Sequence, residues 1–230
     1  MPTKGVSLFS FLDPKKAFWK WFEANGDRLR KAPVGPGAEF HELSRRLRKV
    51  HPELCFELGG APDQPRQLVI SAAGDRAIFH VVEDLVDRAP KVPGWVIVRF
   101  KPREPNYARH SISLNDLNIG PEKIRFNLLA GWDQTGLQFQ LGVDLFIDGC
   151  TREGEEEFVG AAFILLDGAL GEYDVTMKMG RLRVLPGSAA PASADRWQNF
   201  VAMFDEAFED LTAQAASRAA ARHGKPGLGK

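Results

Sequence analysis

Glu172 and Asp174, two residues apart in LGEYDV (170–175), are the side chains whose types and spacing come nearest to chemistry. A regular strand puts residues i and i+2 on one face, so the two carboxylates would stand together with Tyr173 on the other side. Paired carboxylates can separate their pKa values and act as acid and base, or hold a divalent cation. On this reading the protein is a carboxylate- or metal-dependent hydrolase, with His80 as a further group. The competing reading makes Glu172 and Asp174 the wet face of an edge strand entered by a turn at Gly171, and it outweighs the catalytic one. His80 and Glu83, three apart on a helical stretch, suit a structural pair better than a metal site. Asn115 and Asp116 in LNDLNIG read as a turn.

Motif fragments elsewhere fail on context. GKPGLGK (224–230) has the glycine and lysine spacing of a phosphate-binding loop. It lacks the Ser/Thr that would hold magnesium, and no strand leads into it. HELSR opens like a zinc-protease helix, but Arg45 stands in the place of the second histidine. No G-x-S-x-G, C-x-x-C or G-x-G-x-x-G occurs, and the five histidines are scattered. Neither a cofactor nor a metal is expected.

A binding role is the leading expectation, with another protein or a second copy as partner. Its candidate residues are aromatics at both ends: Trp19 and Phe22 in AFWKWF (17–22), and Trp197. At about 100° per residue, Phe18, Trp19, Trp21 and Phe22 share an arc of roughly 160° with Lys20 opposite. That pattern fits a helix docked on a core better than a ligand platform, so a binding role requires one terminal helix to dock loosely.

These residues need elements to hold them. Asp13-Pro14 opens a helix that Asn25-Gly26 would stop. A second helix fits Ala38 to Val50; its cluster Arg45, Arg46, Arg48 and Lys49 reads as a solvated face rather than a phosphate grip. Strands are expected over 54–58, 67–72, 94–100, 110–114, 123–130, 137–147 and 173–185, and helices over 76–89, 155–170 and from Asp195 onward. The fold class is therefore α+β, a mixed, largely antiparallel sheet with helices packed on it, in the order α-α-β-β-α-β-β-β-β-α-β-α. One domain over 1–211 is expected, with 212–230 an Ala-rich helical extension and flexible basic tail. No repeat of fixed period is visible.

Bulk numbers narrow the class. With 230 residues, the chain can bury roughly three-quarters of its unfolded surface and needs no staples. Thirty basic side chains cancel thirty acidic ones, so a dedicated nucleic-acid binder is disfavoured. Cys55 and Cys150 lie in strand-like apolar stretches and read as small hydrophobes. Val6–Leu12 is short and lacks a small-residue cleavage site, and FVGAAFILLDGAL (158–170) is too short to span a bilayer. A cytoplasmic protein without membrane attachment is expected. Taken together, the tryptophan helix, the Gly94-Trp95 strand and LGEYDV resemble small bacterial proteins without an assigned activity, and the resemblance implies no functional residue.

Overall fold

A computed structural model describes residues 13–33, 37–60, 64–115, 117–132, 139–151 and 154–223. The fold is α+β, and antiparallel pairings outnumber parallel ones among the described strands. Contacts divide the chain into two compact units, Met1–Pro102 and Arg103–Lys230.

The first unit begins with helix α1 (Pro14–Lys31). The Asp13 carboxylate accepts from the backbone N–H of Lys15 (2.9 Å) and Lys16 (3.4 Å), satisfying donors that a helix start leaves open. Phe18, Trp19, Phe22 and Leu29 form its buried stripe. Asn25-Gly26 does not stop this helix. Gly26 is helical and buried, and a Cβ there would lie 2.8 Å from Val92 Cγ1. The Trp95 indole N–H donates to the Gly26 carbonyl at 2.9 Å. Glycine at 26 thus permits close approach rather than termination. The helix ends where Pro33 forbids helical geometry to its neighbour, and Ala32 is extended (ψ 140°). The Arg66 guanidinium then satisfies its last carbonyls, donating to Leu29 (2.6 Å), Arg30 (3.1 Å) and Ala32 (3.1 Å).

Helix α2 (Ala38–Leu47) buries Phe40, Leu43 and Leu47 and gives way to a turn three residues before the expected end. Strand β1 (Cys55–Gly59) pairs antiparallel with β2 (Arg66–Ser71). Helix α3 (Phe79–Asp87) follows a 3₁₀ turn, and β3 (Trp95–Arg99) returns parallel to β2. The sheet order is β1-β2-β3, which leaves β3 at an edge.

The second unit opens with a short hairpin, β4 (Ile112–Leu114) and β5 (Leu117–Ile119). Strands β6 (Ile124–Trp132) and β7 (Phe139–Ile147) pair antiparallel; helix α4 (Glu155–Lys178) crosses to β8 (Met179–Pro186), parallel to β7. Strand β9 (Asp195–Arg196) pairs with β6, and helix α5 (Phe200–His223) follows. The order is β8-β7-β6-β9. Alternate residues Ile124 and Phe126 on β6, and Leu141, Val143, Leu145 and Ile147 on β7, enter one core with Leu165, Leu166, Trp197, Phe200 and Phe204. The run β6-β7-α4-β8 repeats the order and pairing senses of β1-β2-α3-β3, a repetition of topology without a repetition of sequence.

Two further boundaries differ from expectation. The last helix begins at Phe200 rather than at Asp195, because Asp195 and Arg196 pair with Phe126 and Arg125. More consequentially, 173–178 is helical and the strand starts at Met179. Gly171 breaks α4 with φ 76° and ψ 156°, a conformation essentially restricted to glycine, and the chain then resumes a helix. The alternation of YDVTMK reads as a strand, but Asp174 and Lys178 stand four apart and pair at 2.9 Å, which only a helix allows.

Candidate functional site

That extension of α4 separates the two carboxylates expected to share a face. At helical spacing, residues two apart project about 200° from each other. Glu172 is buried at 2% exposure, whereas Asp174 turns toward a guanidinium. The expectation of a strand-borne carboxylate pair is thereby corrected: a helix positions Glu172 and Asp174, and it points them in different directions.

Arg103 is the residue that organises this region. It donates through Nε to the Leu170 carbonyl (3.0 Å), through Nη1 and Nη2 to Asp205 on α5 (2.7 and 2.8 Å), and through Nη2 to Asp174. Leu170 precedes the Gly171 break, so Arg103 takes up a carbonyl the interrupted helix exposes. Hydrogen bonds from Arg103 hold Asp205 below the ordinary carboxylate value, and donating to Asp205 and Asp174 raises the guanidinium above its own. A guanidinium bonded to carboxylates on α4 and α5 fastens the two helices.

The other expected residues take no part in these bonds. His80 is exposed on α3, in the first unit. Trp19 is buried and its indole N–H donates to the Leu85 carbonyl at 2.8 Å; Phe22 is fully buried between Phe18, Trp19 and Trp95. Trp197 is also fully buried, stacked on Phe200 with edge contact to Tyr107. Asn115 has φ 51°, consistent with a turn, while Asp116 and GKPGLGK lie outside the described residues. On α2, Arg45 and Arg46 both bind Glu42, which their hydrogen bonds lower to about 2, and Arg46 also covers the Trp21 ring. Among the described residues no group of three His, Cys, Asp or Glu side chains is placed to hold a metal ion, and no helix is long and apolar enough to cross a membrane.

A different feature, in the first unit, offers chemistry that is not already spent. Phe100 N–H donates to the Ile70 carbonyl (2.8 Å) and Arg66 N–H to the Gly94 carbonyl (2.9 Å). In a parallel ladder this register turns the backbone of Val96 and Val98 toward β2 and that of Ile97 and Arg99 away from it. No described strand pairs with β3 on that outer side. Its sequence, WVIVR, places four apolar residues in a row with no proline, glycine or bulge, and Val96 is 45% exposed.

Natural sheets blunt such edges with charge, proline or brevity. Strand β8, the topological counterpart of β3, does so: Arg181 and Arg183 stand along it, Arg183 forks onto the buried Asp144, and Pro186 ends it. Strand β1 carries Glu57, and β9 has two residues. Strand β3 has none of these devices before Arg99.

Beside β3 lies a groove of about 440 Å³ lined by Val86, Ala89, Pro90, Lys91, Val92, Trp95 and Ile97. Val86 at the end of α3 and the loop residues Ala89–Val92 provide one wall and alternate β3 side chains the other; the glycine at 94 (φ 75°) turns the chain sharply into the strand. A free row of N–H and C=O groups next to an apolar slot is what an extended peptide needs, the backbone supplying affinity and the slot selecting side chains. In the sequence, WVIV after PKVPG marks a strand without internal charge or proline; its edge position follows only from the sheet order. Comparison with protein-family models, curated proteins and solved structures finds no match.

Proposed function

We propose that the protein acts by binding another protein, and that its β3 edge receives an extended segment of that partner as an additional strand. The observation that carries this reading is the outward row of Ile97 and Arg99 backbone groups on a strand lacking the protection its counterpart β8 has. The groove at Val86, Ala89, Val92 and Trp95 supports it, because it gives alternate side chains of the added strand an apolar seat.

The test is a titration of the full chain with an acetylated, amidated seven-residue peptide in which valine and isoleucine alternate with glutamate. Ile97→Pro removes an outward N–H and leaves the bonds to β2 in place, a change that edge strands tolerate. Because leaving a hydrogen-bonding partner unpaired costs about 1–3 kcal/mol, and the kinked edge loses its neighbours too, affinity should fall by about tenfold or more. N-methylation of alternate peptide bonds in the ligand should produce the same loss without touching the protein. Undiminished binding after both changes would contradict strand addition at β3.

A further inference from the structure

Lys91 gives the groove beside β3 a chemical preference. It is the only charged residue among those lining the slot, it is exposed, and no described carboxylate pairs with it. The neighbouring cations are engaged. Arg88 binds Asp84 and Asp13, Arg99 binds Asp87, and Arg30, whose side chain lies against Gly94, binds Asp27. The acidic side chains nearest in sequence, Asp84 and Asp87 on α3, are therefore held by other partners. The field around the groove has the same sign. The unit Met1–Pro102 carries 17 basic and 12 acidic side chains, a net of +5, against 13 and 18 in the unit Arg103–Lys230.

We infer that the segment received at the β3 edge carries a carboxylate side chain, aspartate or glutamate, opposite Lys91, between apolar residues that occupy the slot. This rests on the reading of β3 as a strand-accepting edge. The apolar walls at Val86, Val92, Trp95 and Ile97 would be covered by the arriving strand, so the ammonium would lose water on docking. A carboxylate replaces that water and compensates the charge, whereas a neutral amide supplies only an acceptor and a second ammonium neither. Complementary charge also raises the rate of encounter with a unit of net positive charge.

The experiment compares two acetylated, amidated peptides with the same alternating valine and isoleucine residues, one with glutamate and one with lysine at the intervening positions. Each is titrated into the wild-type chain, into Lys91→Glu, and into Lys20→Glu, which makes the same change in net charge on α1 outside the groove. The wild type should prefer the glutamate peptide by roughly three- to tenfold at low salt, in proportion to one exposed pair gained and one repulsion avoided. Lys91→Glu should reverse that order, Lys20→Glu should keep it, and the preference should shrink as salt rises. Equal binding of both peptides to the wild type, or a preference that Lys91→Glu leaves unchanged, overturns the carboxylate assignment while leaving strand addition standing. Failure of both peptides to bind any of the three proteins overturns strand addition itself, and the assignment with it.

Discussion

Phe22→Ala is expected to cost about 3–5 kcal/mol, the usual range for deleting a buried phenyl ring. Phe22 has no exposed surface, stacks on Phe18, and meets the Trp19 and Trp95 rings edge-on. The cost would come from lost transfer energy and from a cavity that cannot collapse, because Gly26 already brings α1 as close to Val92 as the backbone allows. Urea unfolding should show a lower midpoint with an unchanged slope. Trp21→Ala, one position away and only partly buried, serves as comparison: it loses the contact with Arg46 and should cost less than half as much. Equal costs at 21 and 22 would mean that AFWKWF is not organised as a one-sided helix.

Arg103→Met is expected to destabilise the second unit by about 2–3 kcal/mol at neutral pH. The substitution strands the Asp205 carboxylate and the Leu170 carbonyl, and it leaves Asp174 with Lys178 alone. A fully buried charge left without its partner would cost more, about 3–5 kcal/mol, but Arg103 is one-third exposed and solvent takes up part of the loss. The pH dependence has a definite sign. Asp205 titrates lower in the folded protein than the ordinary 3.8 because Arg103 donates to it. Its contribution is therefore complete above that ordinary value and is lost as pH falls below it through the lowered folded one. The stability gap between wild type and Arg103→Met should be constant from neutrality to about pH 5 and narrow below about pH 4, as urea midpoints across that range would show. A gap that widens on acidification would mean that Asp205 is not the partner that matters.

Strong periodicity made most of the elements legible. The alternation in IRFNL and LQFQL marked β6 and β7, and the stripe at Phe40, Leu43 and Leu47 marked α2. Misreadings arose where tertiary contacts decide. Gly26 looks like a helix stop until Val92 and Trp95 are seen against it, and YDVTMK looks like a strand until Lys178 and Arg103 are seen reaching Asp174. The contacts at Gly26 and the one from Arg103 span 66 to 71 residues of chain, beyond any local pattern. The shared face expected for Glu172 and Asp174 is lost for the same reason, since it depended on a strand that begins only at Met179. The β3 edge lay in plain view as WVIVR, yet a sequence does not say which strand lacks a neighbour. Only the order β1-β2-β3 makes its outer backbone available.

Residue-resolved amide hydrogen exchange, with and without the glutamate-bearing peptide, tests strand addition most directly. In the free protein, the N–H groups of Val96 and Val98, bonded to β2, should exchange slowly, and those of Ile97 and Arg99 should exchange quickly. On adding peptide, Ile97 and Arg99 should become protected by about tenfold or more while Val96 and Val98 change little. Protection that appears equally on all four residues, or on none of them while the peptide binds elsewhere, would contradict β3 as the edge that receives a partner strand.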